Sequence, residues 1–428
     1  MLILILICAF VLLVLLGLPI SFAMGISSFV ALVYHSTLPF NLIVHRTMMG
    51  IDSFVLLSIP LFIFAGTIME NGGISERLVR FAQTLLGRFR GGLPMVVVGS
   101  TMLQSGISGS TVADVSAMSA MTLKPLEEEG YSRPYSLAVI GASCAFSILI
   151  PPCILMVIVA AIANTSVVAV FAAGLLPSAV IGAMMLAFIH FQARIQNMPA
   201  GRKDSLKEVL KGFKDALLAL GVPLLIFGGI RAGVATVTEM AAFAVIYSLL
   251  VGGLVYRRLS WKGIYDALVE TCVATGVITM LIGFAMIFGY LLATEGVPAA
   301  VASWMRSSGM PPWGVLVISA LIFVFVGAVL EGAPAVLIFV PILLPVVRSV
   351  GIDIVHWLTV VVLASGIGLF VPPTGLAVMV ACSVGKVRMD QMIKPLMPFL
   401  MLLMLGLAII IFFPWISTVV PQALELTY

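Results

Sequence analysis

The chain has 428 residues, of which 62% are hydrophobic and only 9% charged, whereas ordinary soluble domains are roughly a quarter charged. With a mean hydropathy of +1.23, this composition excludes a water-soluble protein. The formal charge of +4 is modest and no window resembles a nucleic-acid-binding module, while five cysteines in apolar stretches, none in a CxxC pair, read as core thiols and exclude a secreted disulfide framework.

From the N-terminus, Met1 to Val33 is apolar and lacks a basic leading region, so it is expected to be retained rather than cleaved as a signal. As a single helix it is about 50 Å long, which predicts either one tilted, kinked helix or two short spans broken near Gly17 and Pro19. Further on, Val167 to His190, Val273 to Ala293 and Leu396 to Ile416 reach the roughly 20 apolar residues needed to cross a hydrocarbon core. Their apolar runs are continuous instead of alternating, which predicts helices and not barrel strands. Ser75 to Arg88, Lys203 to Ala216 and Ala299 to Arg306 are amphipathic and suit helices lying in the membrane interface, while Lys203 to Ala216 fits a solvated loop helix as well.

Lysine and arginine in short loops set orientation, because they translocate poorly. The segments Arg77 to Arg90, Lys124 to Arg133, Arg194 to Lys214, Arg257 to Lys262 and Lys386 to Lys394 hold 18 of the 22 basic residues and are assigned to the cytoplasm. Arg46, Arg231, Arg306 and Arg348 then lie outside. Under this assignment Leu93 to Lys124 begins and ends on the inner side and Pro312 to Arg348 on the outer side. Each must enter the membrane and turn back, as a re-entrant hairpin. Helix-breaking residues sit at mid-length in both: Ser105, Gly106, Ser108, Gly109 and Ser110 in the first, and Gly332, Ala333 and Pro334 in the second.

An internal repeat joins these hairpins. Ser147-Ile-Leu-Ile-Pro151-Pro152-Cys-Ile-Leu-Met-Val157 matches Gly368-Leu-Phe-Val-Pro372-Pro373-Thr-Gly-Leu-Ala-Val378. A double proline removes two backbone donors and clashes with the preceding turn, so each span must break and bare its carbonyls. Pro151 lies 41 residues after Ser110, and Pro372 lies 40 after Gly332. The expected fold is therefore an all-α polytopic membrane protein of two inverted-topology repeats, each with a re-entrant hairpin and a Pro-Pro broken helix. Secondary transporters use such discontinuous helices: half-helix N-termini favour an anion and unwound carbonyls a cation.

Three carboxylates lie within apolar segments: Asp114, Glu239 and Glu331. Intramembrane carboxylates are costly, which makes a functional role the default. Asp114 and Glu331 lie near the two tips, placed to bind a cation, anchor the tip or contact a polar substrate; Glu239, after Thr236, equally fits a helix cap. Gly106-Ile107-Ser108-Gly109 also matches the GxSG signature of rhomboid-like intramembrane serine proteases. That chemistry needs a histidine base beside the serine, and His35, His45, His190 and His356 all fall at span ends or in loops. A channel is a third reading, opposed by hairpins that close a site at one midplane. No Walker A loop, dinucleotide fingerprint or metal-ligand spacing occurs, so no enzymatic cofactor is expected and transport energy should come from an ion gradient.

The chain resembles the large membrane subunit of tripartite ATP-independent periplasmic (TRAP) transporters over most of its length. The resemblance is carried by Ile59-Pro60-Leu61-Phe62-Ile63-Phe64-Ala65-Gly66, the tip Gly106-Ile-Ser-Gly-Ser-Thr-Val-Ala-Asp114, Glu129-Gly130-Tyr131 and the first Pro-Pro. In the second half it is carried by Gly228-Gly229-Ile230 with Thr236-Val237-Thr238-Glu239, Gly351-Ile352-Asp353 with His356, and Pro372-Pro373-Thr374-Gly375. It implies a bacterial inner-membrane importer of an organic acid, coupled to sodium and working as an elevator. Two partners are also implied: a small membrane subunit and a periplasmic binding protein. One sodium site would use Ser108 or Ser110 with carbonyls near Ser147, Ile150 and Pro152, and its mirror Gly332 and Ala333 with carbonyls near Gly368, Val371 and Pro373. Substrate would sit between the tips near Ser110, Thr111, Asp114, Cys153 and Thr374, with Glu331 as the carboxylate of the second tip. Two departures from the family pattern stand out: the second tip reads Glu331-Gly-Ala-Pro334 in place of an Asp followed by hydroxyls, and Cys153 replaces a serine. A stand-alone sodium–carboxylate symporter of similar fold is the alternative within transport.

The expected division is 1–91 scaffold spans with an arm helix, 92–165 the first hairpin and broken helix, 166–311 scaffold spans and arm helices, 312–385 the second hairpin and broken helix, and 386–428 a C-terminal span.

Overall fold

The computed structural model describes residues 1–34, 39–108, 110–196, 198, 206–231 and 235–426, and all regular structure among them is helical. Inside a hydrocarbon slab each backbone group needs an internal partner, which helices provide within one segment.

In chain order, α1 (Leu2–Leu15) and α2 (Ile20–Tyr34) pack on each other, so the N-terminal stretch is two short helices hinged at Gly17, whose φ is +82°. Next come α3 (Asn41–Ile51) and α4 (Ser58–Asn71), with a 63° bend between them. The amphipathic arm is α5 (Ile74–Leu86), which buries Ile74, Leu78 and Ala82. The first hairpin is α6 (Gly92–Ser108) and α7 (Thr111–Glu128), and its broken helix is α8 (Arg133–Ser147) followed by α9 (Ile154–Ala163). Then follow α10 (Val167–Ile195), α11 (Leu206–Arg231), α12 (Val237–Leu250), α13 (Trp261–Thr294) and a second arm, α14 (Val297–Ser307). The second hairpin is α15 (Pro312–Val329) and α16 (Gly332–Ser349), with its broken helix α17 (Ile354–Gly368) and α18 (Leu376–Gly385). The described chain ends with α19 (Met389–Phe412) and α20 (Trp415–Ala423). Six of these helices are long and apolar enough to cross a membrane, and α3 with α4 makes a seventh, bent span. The chain is a multi-pass, all-α membrane protein.

The helices sort into two packing bodies. One gathers α1 to α4 with α11 to α13, through contacts of α4 with α12 and of α13 with α2, α3 and α4. The other gathers both hairpins, both broken helices, α10, α19 and α20. Its centre is α8 and α17, which are buried on every face from Tyr135 to Ser147 and from Val355 to Gly368. A helix that is apolar all round belongs in such a core. Correspondences run through this body. α6 packs on α8 as α15 packs on α17, while α7 reaches α18 and α16 reaches α9.

α10 packs against α6, α8, α9, α17, α19 and α20. Its small residues explain this: a side chain at Gly174 would collide with the Leu149 carbonyl, and one at Gly182 would meet Met102 Sδ at 2.6 Å. Several sequence expectations are corrected here. The second hairpin turns at Leu330 and Glu331, not at Gly332 to Pro334, since Gly332 opens α16 and Pro334 occupies its first turn, where no intrahelical donor is needed. The segment Lys203 to Ala216 is not a separate interfacial helix, since from Leu206 it runs unbroken into the α11 span; residues 203–205 lie outside the described set. The span Leu396 to Ile416 is interrupted at Phe413 and Pro414. Cys8 and Cys272 are exposed, and only Cys144, Cys153 and Cys382 are core thiols, because a membrane helix turns apolar side chains to lipid as readily as to the core.

Candidate functional site

The two breaks are built alike. α8 ends at Ser147 and α17 at Gly368, and each is followed by a tight turn: Ile150 N–H donates to the Ser147 carbonyl at 2.8 Å, and Val371 N–H to the Gly368 carbonyl at 3.0 Å. The chain then passes through Pro151-Pro152 and Pro372-Pro373, both cis, before α9 and α18 begin. Proline supplies no N–H, so carbonyls here lose their usual helical partners. Among the described residues no donor bonds the carbonyls of Ile150 or Pro152. The second break is more self-satisfied: Gly375 N–H donates to the Val371 carbonyl at 3.0 Å and Ala377 N–H to that of Leu369 at 3.2 Å.

Each hairpin lays its first limb against the break of its own repeat. Ser105 Oγ, near the end of α6, donates to the Ser147 carbonyl at 2.8 Å. In the second repeat Gly327 takes the corresponding place, and the backbones approach so closely that a side chain at Gly368 would meet Gly327 C at 2.9 Å and Ala328 N at 3.0 Å. Tip residue Gly332 lies across the repeats, 3.4 Å from Leu155 and 3.8 Å from Ser365 as measured from the Cβ it lacks. The second tip thus touches the start of α9, next to Cys153.

On the first tip, Ser110 caps α7 by accepting from Ala113 N–H at 3.5 Å. Thr111 is buried, and Asp114 in the same turn is 1% exposed. The Asp114 carboxylate lies within electrostatic reach of the Cys144 and Cys153 thiols. Cys153 is itself buried and precedes the first turn of α9. Asp114 and Cys153 are thus within electrostatic reach of each other, and Ser105 joins the end of α6 to Ser147 at the first break, while Ser110 and Thr111 open α7. Around the second break, Val371 is partly exposed, while Pro373, Thr374 and Glu331 are exposed. Ala333, partly buried, sits in the first turn of α16. The Ser108 side chain and Gly109 lie outside the described residues.

Sequence reasoning missed Ser105 as a contact of the break, and Cys144 as a group within electrostatic reach of Asp114. A hydroxyl in an apolar helix ordinarily bonds the carbonyl one turn back, as Thr101 does to Val97 at 2.8 Å, so no local signal marks Ser105 as reaching another helix. The opposite holds at Glu239. Its carboxylate accepts from Thr236 N–H at 2.7 Å and from the Thr236 hydroxyl at 2.8 Å, completing a capping box at the start of α12. Glu239→Gln, which still accepts from Thr236, is expected to leave uptake within about twofold of wild type, whereas a loss of about tenfold or more in a vesicle assay would return this residue to the site.

Of the four histidines, His45, His190 and His356 lie on α3, α10 and α17, and His35 lies outside the described residues. A family-model match decides between the enzyme and transporter readings. The model described as "Tripartite ATP-independent periplasmic transporter, DctM component" matches residues 7–416. The chain is 34% identical to the C4-dicarboxylate TRAP transporter large permease protein DctM of Pseudomonas aeruginosa, covering 88% of each. To the sialic acid TRAP transporter large permease protein SiaM of Vibrio cholerae it is 31% identical, covering 95% of each. In fold it is similar to the YdaH transporter of Alcanivorax borkumensis, with a TM-score of 0.65 at 15% identity over 90% of this chain and 89% of that one. Paired hairpins, broken helices and a near full-length family match lead to one conclusion: the chain belongs to the DctM family of TRAP transporter large permease subunits, multi-pass proteins of the bacterial inner membrane, and is not an enzyme.

Proposed function

We propose that this subunit imports an organic acid, a carboxylate or a sugar acid, by sodium-coupled elevator transport, receiving it from a periplasmic binding protein and working with a small membrane subunit. The observation that carries this reading is the first break, where the Ile150 and Pro152 carbonyls have lost their helical donors beside a tip bearing Ser110 and Thr111. Carbonyl and hydroxyl oxygens without a net charge suit a monovalent hard cation, and non-helical backbone at membrane depth is tolerated where it lines such a cavity. The N-termini of α9 and α18 supply the positive ends that favour an anionic substrate. The paired contacts of α7 with α18 and α16 with α9, together with the opposed basic loops, support two inverted repeats. Two groups of helices, bridged by the arms α5 and α14 and meeting directly where α13 packs on α16 and α4 on α6, support movement of one against the other. The relatives named above act on C4-dicarboxylates and sialic acid, which supports an anionic organic substrate of that general kind.

Purified protein in liposomes with an inward sodium gradient tests this, using succinate and N-acetylneuraminate as probes with and without the binding protein and small subunit. Uptake is expected only with sodium and all three components. Uptake by the large subunit alone would favour a stand-alone symporter, and uptake indifferent to sodium would overturn the coupling.

A further inference from the structure

The half-helices α9 and α18 are each ten residues long and each ends in a residue in the left-handed region, Asn164 at φ 52° and Lys386 at φ 51°. Their last carbonyls are met by arginines. Arg348 Nη2 donates to the Ala163 carbonyl at 3.3 Å, and Arg133 Nη1 donates to the Gly385 carbonyl at 3.2 Å. Ala163 and Gly385 correspond, each being the last residue of its half-helix. The arginines do not correspond: Arg133 opens α8, whereas Arg348 is the penultimate residue of α16. Each bond also crosses the repeats, Arg133 reaching from the first to the second and Arg348 from the second to the first. Two unrelated sequence positions have thus been recruited to one task, which local helix capping within a repeat does not explain.

We infer that Arg133 and Arg348 are positioning residues that clamp the outer ends of the two half-helices onto the opposite repeat, and so hold the bare break carbonyls and half-helix N-termini in register for binding. The physical case is direct. A helix C-terminus leaves four carbonyls unsatisfied and carries partial negative charge, and a guanidinium satisfies and neutralises it together. A half-helix of ten residues is too short to be stable alone and is severed from its first half by the proline break, so its direction is set by what grips its ends. The inner end is the candidate site; the outer end is the arginine. Arg133 is itself aimed by Glu127, whose Oε2 accepts from Nη2 at 2.8 Å.

This inference rests on the proposed sodium coupling, and sodium alone is the probe. The purified full chain is melted over a NaCl series against choline chloride at constant ionic strength, and the NaCl concentration giving half of the sodium-specific stabilisation is read. Arg348→Gln and Arg133→Gln are expected to raise that concentration threefold or more, with Arg348→Lys restoring most of the shift. A merely structural role would lower the melting temperature equally in both salts with the half-saturating concentration unchanged, and that result overturns the inference. Absence of any sodium-specific stabilisation in the unaltered chain instead overturns the coupling itself.

Discussion

Asp114→Ala is expected to cut sodium-driven uptake by about 10- to 100-fold while leaving the protein inserted and extractable from membranes. Asp114 is 1% exposed in the first turn of α7, within electrostatic reach of Cys144 and Cys153. A buried carboxylate carries a desolvation cost of several kcal/mol, and Asp114 lies in a body whose other helices are apolar. Hydrogen bonds to a charged group contribute about 1.5–3 kcal/mol, and losing that much binding energy at the site corresponds to the stated range. Part of the role is local, since an acidic residue near a helix N-terminus also opposes the dipole. Asp114→Asn separates the two: it keeps the volume and hydrogen-bonding capacity and loses the charge. Uptake by Asp114→Asn near wild type, with Asp114→Ala inactive, would make this residue a tip anchor. Full uptake by Asp114→Ala would remove it from the site.

What the sequence makes legible here is backbone chemistry, and what it hides is contact between distant helices. Pro151-Pro152 and Pro372-Pro373 announce their breaks because a missing N–H is a local fact that no tertiary context restores. The turn of the first hairpin is legible for the same reason, in Ser108 to Ser110 before an α7 that Ser110 caps. The second turn is misplaced by two to three residues because Pro334 looks like a breaker, yet its missing donor costs nothing in the first turn of a helix. Membership of the two bodies is illegible altogether. α10, of 29 residues, and α13, of 34, are equally apolar, and only Gly174 and Gly182, through the close approach they permit, set α10 against the hairpin and break. Ser105 stays hidden because its partner lies 42 residues away. The symmetry of the two breaks is legible in the motif, but their difference depends on one pair of residues. Where the first repeat has Ile154, the second has Gly375, whose missing side chain would meet the Leu369 carbonyl, so the chain there folds back on its own carbonyls and α18 starts a residue later.

Gly366→Val is expected to abolish stable folding of the hairpin-bearing body. Gly366 lies on α17 where it crosses α8, and a Cβ placed there would collide with the Ala145 carbonyl oxygen and meet Ile148 Cγ2 at 2.8 Å. Flexible side chains can retreat from such contacts, but a helix carbonyl cannot without breaking its own ladder. Two residues on, Gly368 faces the Val324 carbonyl oxygen at 2.6 Å by the same measure. One end of α17 is thus pressed on backbone from both repeats, at the level where both breaks begin. Overpacking a core costs about 1–3 kcal/mol when neighbours can adjust, and more is expected where the neighbour is backbone. Gly366→Ala already carries the clashing Cβ and should lower the melting temperature by more than the overpacking range implies, at roughly 2–4 °C per kcal/mol for a chain of some 200 residues and less for a longer one, while Gly366→Val, with two further methyl groups, should yield aggregate on size-exclusion chromatography. Gly289→Ala is the control. It lies on α13 with nothing within 4 Å of its missing Cβ, and alanine is the better helix former, so its melting temperature should hold or rise. If Gly366→Val melts and transports like Gly289→Ala, then α8 and α17 are not in backbone contact, and the joint from which both breaks are positioned lies elsewhere.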